Sequence, residues 1–356
     1  MGLLYTNLKI FHFKEKLDTI PQSTDEIAPP VHIRMKPTNV CGHNCGYCAY
    51  RSDDLQLGKD MVQKDYIPRE KMMEVIDDIV EMGVKAVTFS GGGDPFYYPY
   101  LLDTVKKLST TPVKFAALTN GARLCGEVAE IFANCGAWLR ISIDGWDDES
   151  YSQYRGVSMG EFSKVMKNME DFKKIGGNCF LGVSVIVDRK NALHLYEFIK
   201  KIKDVGVNSV KISPCVVSND GVINNKYHQP IFKNVKEQVK RAIEDFADAN
   251  FEVFDSYHEL DDKFEKDYNW CPYLQILPVI GADLNVYPCQ DKAYNLDEGL
   301  IGSIKNQRFK DFWFSDKKNF FKVNPSKVCN HHCVANGKNK LVLEYLGADK
   351  GHLGFV

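Results

Sequence analysis

The most informative segment of this chain is KPTNVCGHNCGYCAY, residues 36–50, which follows a short apolar run beginning at Val31. It holds three thiols, those of Cys41, Cys45 and Cys48, at the spacing C-x3-C-x2-C. A cubane iron–sulfur cluster is held by four thiolates, so three would leave one iron with an open coordination position. An open position is where a bound metal does chemistry. Half of a zinc site, or three small buried side chains, are the alternative interpretations.

The composition excludes several classes of function. The 356 residues carry a net charge of −2, so no nucleic-acid partner is expected. No apolar run is long enough to span a bilayer and no signal peptide is evident, so we expect a cytoplasmic protein without a membrane partner. Eleven cysteines, an odd number without a secretion signal, favour metal binding or redox chemistry over disulfides.

From Val31 onward, short apolar runs alternate with amphipathic helical patterns, which favours an α/β fold built on a parallel sheet. In such a sheet, ligands bind at the carboxyl ends of the strands. The predicted strands are Val31–Met35, Ala86–Ser90, Val113–Leu118, Trp138–Ile143, Phe180–Val187 and Ser209–Ser213. The predicted helices between them are Arg69–Met82, Tyr100–Leu108, Gly126–Cys135, Gly160–Ile175 and Leu193–Val205.

The flanking regions carry weaker signals. The first 30 residues are predicted to be an extension that packs against the main domain, with a short strand at Leu8–Phe13. Residues 216–230 are predicted to form a loop, and Ile231–Ala249 a charged helix with a solvated face.

The three cysteines, with Tyr47 directly before the third, resemble the signature of the radical S-adenosylmethionine (SAM) enzymes. The resemblance implies a partial (β/α)6 TIM-like barrel. It also implies a 4Fe-4S cluster on Cys41, Cys45 and Cys48 that binds SAM through its open iron. Reductive cleavage of SAM would then give a 5′-deoxyadenosyl radical that takes hydrogen from a substrate C–H bond. An electron donor such as flavodoxin or ferredoxin is the implied partner.

Two further segments resemble places where that superfamily meets SAM. Gly91-Gly92-Gly93-Asp94 resembles the Gly-Gly-Glu segment that meets the SAM ammonium group, although Asp94 replaces the usual Glu. A dinucleotide-binding loop is excluded because Pro95 and the residues after it intervene before the next helix. Thr119 and Asn120 resemble the Thr-Asn-Gly end of the third strand.

The fourth strand and the segment after it complete the resemblance. Ser142 and Asp144 resemble residues near the SAM ribose, and strand alternation puts both on one face. Arg155 resembles an arginine that meets the SAM carboxylate, for which a fork of donors is suited. The alternative interpretation of each of these residues, taken alone, is that it makes a hydrogen bond that only stabilises the fold.

Cys215 follows the sixth predicted strand, at the end where substrate would lie. A thiol there is predicted to donate a hydrogen atom to a substrate radical, which would permit epimerisation. A small buried side chain is the alternative.

Four more thiols lie near the end of the chain, the number for a closed site. The segment ending in Tyr287-Pro288-Cys289 resembles the hairpin of SPASM and twitch extensions, which usually carry Gly where this chain has Leu284. A full SPASM domain has seven cysteines, so four fit the twitch type with one auxiliary 4Fe-4S cluster. A structural zinc site, with His331 or His332 as a ligand, is the alternative. The four thiols are those of Cys271, Cys289, Cys329 and Cys333.

The predicted organisation is an N-terminal extension (1–30), a radical SAM partial barrel (31–225), a connecting helix and linker (226–268) and a small α+β SPASM/twitch-type domain (269–356). The predicted function is a radical SAM enzyme that oxidises or epimerises a carbohydrate-like or nucleotide-linked small molecule, such as a sugar or nucleotide-sugar. The alternatives are a maturase that modifies peptides or proteins, and a non-catalytic electron-transfer or zinc-stabilised binding protein.

Overall fold

The computed structural model describes residues 5–51, 55, 57–258 and 264–355, and these form one sheet covered by helices. The strands are β1 (His32–Met35), β2 (Ala86–Phe89), β3 (Lys114–Thr119), β4 (Trp138–Ser142), β5 (Phe180–Val187), β6 (Ser209–Pro214), β7 (Glu252–Asp255), β8 (Val279–Ile280), β9 (Asn285–Tyr287) and β10 (Gly302–Ser303).

The α-helices of the described residues are α1 (Lys14–Asp18), α2 (Arg69–Glu81), α3 (Leu101–Ser109), α4 (Gly126–Cys135), α5 (Asp148–Arg155), α6 (Glu161–Ile175), α7 (Leu195–Asp204), α8 (Gly221–Phe246), α9 (Tyr273–Ile276), α10 (Leu296–Gly299), α11 (Phe309–Ser315), α12 (Pro325–Val328) and α13 (Asn336–Gly347). None of these is long and apolar enough to cross a bilayer.

The sheet has the order β10-β9-β8-β1-β2-β3-β4-β5-β6-β7. Neighbours from β8 through β1 to β7 pair in parallel, whereas β8, β9 and β10 pair antiparallel. The carboxyl ends of β1 to β7 therefore meet at one edge of the sheet, which is where sites form in such folds. This confirms the predicted α/β class, with a parallel partial barrel followed by a small antiparallel part.

The six predicted strands and five predicted helices all exist, with bounds within two residues of the prediction. β5 and α4 agree at both ends. The sequence missed α5, whose first turn is closed by a capping box between Asp147 and Ser150. Arg155 is the last residue of α5, and Gly156 follows it in the left-handed conformation, ahead of α6.

The predicted strand at Leu8–Phe13 is wrong, because Asn7–His12 is a 3-10 helix. Its start is capped by Thr6, whose hydroxyl accepts a hydrogen bond from the Leu8 N–H at 3.2 Å. Ile10 packs with Ile276 and Val342 of the C-terminal region in a small apolar cluster. The extension therefore contacts the C-terminal region as well as the barrel, which the sequence did not predict.

The predicted loop over residues 216–230 is wrong from Gly221 onward, where α8 begins. Asp220 caps the helix by accepting from the N–H groups of Val222 and Ile223. Pro230 lies inside α8 and has no N–H to offer the carbonyl four residues earlier. Arg189 compensates from the β5 loop, donating to the Tyr227 carbonyl at 2.8 Å and to the Lys226 carbonyl at 3.5 Å.

Two short strands of the described residues extend the barrel sheet beyond the sequence prediction. β7 lies within the predicted linker and pairs in parallel with β6. β8 pairs in parallel with β1, placing Val279 beside Arg34 and Ile280 beside Met35. The hairpin that carries Cys289 is thus joined by hydrogen bonds to the strand that leads to the three-cysteine loop.

Candidate metal centres

The three-cysteine loop leaves the carboxyl end of β1 and is tied down from two sides. The Asn44 N–H donates to the Arg155 carbonyl at 2.7 Å, at the end of α5. On the other side the Asp94 N–H donates to the Val40 carbonyl at 2.9 Å. A Cβ atom added at Gly93 would overlap the Val40 carbonyl oxygen, so this close approach requires glycine.

Two of the three thiols have polar partners from distant elements. The Cys41 Sγ lies 3.8 Å from Asn120 Nδ2, which follows β3. The Cys45 Sγ lies 3.6 Å from Arg155 Nη1. Donors aimed at sulfur stabilise thiolates and tune a cluster bound to them. The structure thus brings predicted cofactor residues against the predicted cluster ligands.

The thiols also interact with one another. Burial raises the pKa of Cys41 to about 11, and repulsion from Asp94 and Cys45 adds to the rise. Burial likewise raises the pKa of Cys48, again with a contribution from Cys45. A metal centre must displace these protons, so its binding is coupled to proton release.

Arg155 belongs to a buried network around Asp144. One oxygen of Asp144 accepts from Arg155 Nη2 at 2.5 Å and from the Tyr47 hydroxyl. The other accepts from the Ile186 N–H at 2.7 Å. Both oxygens of Asp144 are thus engaged, whereas Arg155 Nε is buried without a hydrogen-bond partner among the described residues. That unused donor fits a ligand carboxylate.

Asp94 belongs to a second buried network. Its carboxylate accepts from the Thr119 hydroxyl at 2.9 Å, from the Asn120 N–H at 2.6 Å and from the Phe96 N–H at 2.9 Å. Asp94 therefore links the glycine loop to the end of β3. Ser142 ends β4, where it is half-buried and pairs in register with Ser184.

Gly91 and Gly92, the other two glycines of the predicted SAM segment, lie close to the three-cysteine loop. The Gly91 carbonyl accepts from Lys36 Nζ at 2.9 Å. A Cβ atom at Gly92 would press against Asn39 and Tyr294. The glycine loop therefore packs directly on the segment between β1 and the first cysteine.

Cys215 directly follows β6 and is 6% exposed. Its carbonyl accepts from His228 Nε2 at 2.8 Å, so Nδ1 of the same ring accepts from the Tyr257 hydroxyl at 2.8 Å. Burial raises the pKa of Cys215 to about 12, and Asp188 and Asp144 add to the rise. The side chain therefore stays a neutral thiol, the form that a hydrogen-atom donor requires.

The second cysteine set gathers around Cys289. Burial raises the pKa of this thiol well above its usual range, and electrostatic repulsion from Asp291, Cys333, Cys329 and Cys271 adds to the rise. The four thiols, which span residues 271 to 333, thus interact with one another. Leu284, in the turn before β9, has a φ of 61°. The leucine adopts the left-handed conformation that glycine favours.

Asn339 of α13 supports this second set. Its Nδ2 lies 3.3 Å from Cys271 Sγ and 3.2 Å from the Tyr268 hydroxyl. Its Oδ1 accepts from the Tyr273 N–H at 2.9 Å. His331, an alternative zinc ligand, is buried, and its Nε2 has no hydrogen-bond partner within the described part of the chain.

Across the described residues, no three His, Cys, Asp or Glu side chains are spaced to hold a single metal ion. The assignment of the two centres therefore rests on thiol number and on the polar groups beside them. Two surface cavities lie elsewhere: one of about 560 Å³ along α8, lined by Phe232, Lys236 and Asp255 among others, and one of about 150 Å³ between Tyr5 and Arg140.

Sequence reasoning missed several residues that hold the sites. Asn191 donates to the Asp144 carbonyl at 3.1 Å and to the Ile186 carbonyl at 2.8 Å. His228 fixes the Cys215 backbone, and the Lys266 ammonium donates to the His331 carbonyl at 2.5 Å. Each of these is a single polar residue outside any recognisable motif, so no local sequence pattern predicts its role.

Comparison with known proteins gives the family of the barrel region. Residues 35–191 match the family model of the Radical SAM superfamily. A GTP 3′,8-cyclase of Psychromonas ingrahamii is 24% identical over 199 residues, covering 55% of this chain and 56% of that protein. An S-adenosylmethionine-dependent nucleotide dehydratase of Lacinutrix mariniflava is 24% identical over 281 residues, covering 73% of this chain and 56% of that protein. The chain spans about half the length of the curated relatives it matches.

Two solved structures share the fold over most of the chain. SuiB of Streptococcus suis bound to precursor peptide SuiA has a TM-score of 0.63 at 16% identity, covering 90% of this chain and 72% of that one. Native anSMEcpe with bound AdoMet has a TM-score of 0.59 at 18% identity, covering 85% and 89%. Residues 35–191, which include Cys41, Cys45 and Cys48, therefore belong to the Radical SAM superfamily.

Proposed function

We propose that this radical SAM enzyme acts on a nucleotide-linked or carbohydrate-like small molecule, which it oxidises or epimerises. A 4Fe-4S cluster on Cys41, Cys45 and Cys48, when bound, supplies the electron that cleaves SAM to methionine and the hydrogen-abstracting 5′-deoxyadenosyl radical. The observation that carries the SAM chemistry of this proposal is the unused, buried Nε of Arg155, whose Nη1 lies beside the Cys45 thiol. It supports a carboxylate-bearing ligand at the open side of that loop.

The other residues of the proposed SAM site divide by what they contact. Asn120 and Arg155 reach the cysteine sulfurs. Asp94 and Asp144 act as positioning residues, because their oxygens are already bonded to other protein groups. The proposed contacts to SAM come from the backbone of Gly91, Gly92 and Gly93 and from Tyr47, Thr119, Asn120, Ser142 and Arg155.

We further propose that Cys271, Cys289, Cys329 and Cys333 hold an auxiliary 4Fe-4S cluster in a twitch-type domain spanning 269–356. Four interacting thiols and the Asn339 contact to Cys271 support this assignment. Such a centre either accepts an electron from the substrate radical or anchors the domain over the barrel spanning 31–225.

A nucleotide-linked substrate is supported by the names of two relatives, a GTP cyclase and a nucleotide dehydratase. The dehydratase match extends over 73% of this chain. Modification of a peptide is the second candidate. It is supported by the fold of SuiB, whose solved structure holds a precursor peptide.

Anaerobic reconstitution tests the proposal. We expect about eight irons per chain, and 5′-deoxyadenosine when SAM and a strong reductant are added. The triple variant with Cys41, Cys45 and Cys48 replaced by Ala should lose about four irons and all 5′-deoxyadenosine, whereas Cys125→Ala, at an exposed position, should lose neither. About four irons with bound zinc in the wild type would remove the auxiliary cluster, and no 5′-deoxyadenosine would remove the SAM chemistry.

A substrate panel then separates the two candidates. Incubation with nucleotide-linked sugars should give a product lighter by two hydrogens, or deuterium uptake from solvent without oxidation. Turnover of peptides but of no nucleotide or sugar would instead favour the maturase.

A further inference from the structure

Lys36 occupies a junction between the two cysteine sites. It directly follows β1 and is 1% exposed. Its backbone N–H donates to the Ile280 carbonyl of β8 at 2.9 Å, in the hairpin that leads to Cys289. Five residues further along the chain comes Cys41. The backbone of Lys36 therefore joins the first loop to the second site.

The side chain of Lys36 repeats this connection. Its Nζ donates to the Tyr50 hydroxyl at 2.5 Å and to the Gly91 carbonyl at 2.9 Å. The Tyr50 hydroxyl in turn donates to the Gln290 carbonyl at 2.9 Å. Tyr50 lies two residues after Cys48, and Gln290 directly follows Cys289. The Lys36 ammonium is thus linked, through the Tyr50 hydroxyl, to the backbone carbonyl directly after Cys289.

The direct contacts of this ammonium within the described part of the chain are neutral or aromatic groups, and charged Arg34 and Asp291 act on it without a hydrogen bond or ion pair to it. Its hydrogen-bond acceptors are a hydroxyl and a carbonyl, and it lies 4.3 Å from the centre of the Tyr50 ring and 5.9 Å from that of Tyr294. Burial lowers the pKa of Lys36 to about 7, Arg34 lowers it further, and Asp291, Cys289 and Cys48 counteract this. A buried cation without a paired carboxylate is costly unless a nearby anion compensates it.

Asp291 supplies part of that compensation. The proposed clusters would add to it, because their thiolates are anionic and each cluster gains a further negative charge on reduction. A cation close to a cluster favours its reduced state, and this raises the reduction potential. We infer, on the basis of the proposed function, that Lys36 is a positioning residue. Its buried ammonium couples the two centres and raises the reduction potential of both.

Redox titration of the reconstituted holoenzyme, followed by electron paramagnetic resonance, tests this inference. In Lys36→Gln, which keeps donors for Tyr50 and Gly91 but removes the charge, both midpoint potentials should shift to more negative values. Lys36→Arg, which keeps the charge, should restore potentials close to those of the wild type.

Lys16→Gln is the matched control, because Lys16 is also buried but bonds the Ala28 carbonyl of the N-terminal extension. Its potentials should equal those of the wild type. If Lys36→Gln does not fold, Lys36→Met provides a second neutral variant whose apolar chain packs on the same rings, with the same expected shifts.

The outcomes separate the inference from the proposed function. Unchanged potentials in a neutral Lys36 variant that retains its iron and forms 5′-deoxyadenosine would overturn the coupling and leave the proposed function standing. A wild-type protein without iron–sulfur signals or 5′-deoxyadenosine would overturn both. If zinc occupies the second site, the inference is tested by the midpoint potential of the cluster on Cys41, Cys45 and Cys48 alone. An unchanged potential there in the neutral Lys36 variant would overturn it.

Discussion

The Nη1 atom of Arg155 lies 3.6 Å from the Sγ atom of Cys45, although 110 residues separate them in the chain. The same guanidinium pairs with Asp144 and keeps Nε unused. One side chain therefore holds a buried carboxylate, touches a predicted cluster ligand and offers a donor to a further group. Lysine, a point charge without the planar fork, cannot do all three.

We accordingly expect Arg155→Lys to retain its iron but to form 5′-deoxyadenosine about 10- to 100-fold more slowly, the usual effect of losing a partner of a metal ligand. The measurement is single-turnover formation of 5′-deoxyadenosine with iron content determined in parallel. Arg241→Lys, in an exposed ion pair on α8, should match the wild type. A wild-type rate in Arg155→Lys would contradict the assigned role.

Asn339→Ala should weaken the second centre selectively. The substitution removes the amide that contacts Cys271 Sγ, the Tyr268 hydroxyl and the Tyr273 N–H. We expect iron to fall from about eight towards about four per chain, while the first centre and 5′-deoxyadenosine formation persist. Asn134→Ala, at an exposed position on α4, is the control, and full iron content in Asn339→Ala would argue against this support.

Cys215→Ala should separate radical formation from its outcome. Because Cys215 is a buried neutral thiol beyond β6, the variant should cleave SAM at the wild-type rate but lose solvent deuterium uptake into an epimerised product. Cys179→Ala is the matched control: that thiol is also buried, with a pKa raised to about 12, but it precedes β5 at the opposite end of the barrel. Deuterium uptake that survives in Cys215→Ala would exclude this thiol as the donor.

Lys16→Met should stabilise the protein near neutral pH. Burial lowers the pKa of Lys16 to about 7, and Lys317 contributes. The unfolded chain therefore holds the proton more tightly than the folded one between pH 7 and about 10.5. The cost of burying the charge is complete below about pH 7 and disappears as the pH rises through that window.

Replacing this buried charge by an apolar chain should gain about 1–4 kcal/mol at neutral pH. The Ala28 carbonyl keeps a partner in the variant, because Trp313 Nε1 also donates to it at 3.0 Å. Melting temperatures of the two proteins, measured from pH 6 to about pH 10, should converge as the pH rises. A constant difference across the range would show that Lys16 is not the titrating group.

Local patterns in the sequence were sufficient to predict most of the barrel elements. β5 and α4 agree with the prediction at both ends, because strand and helix periodicities depend on residues close in sequence. The prediction of a strand at Leu8–Phe13 was wrong because it used composition alone. The apolar composition suits a strand, but the Thr6 cap starts a 3-10 helix. The three-cysteine spacing likewise identified the family from eight consecutive residues.

Tertiary structure alone decided which side chains meet at the sites. Asn120 contacts Cys41 and Asn339 contacts Cys271 only because parallel strands and the C-terminal helix bring distant loops together. No sequence pattern indicates a role for Lys36. Its position between the two sites follows from the pairing of β1 with β8. Long-range pairing depends on the packing of the whole sheet, so no local pattern contains it.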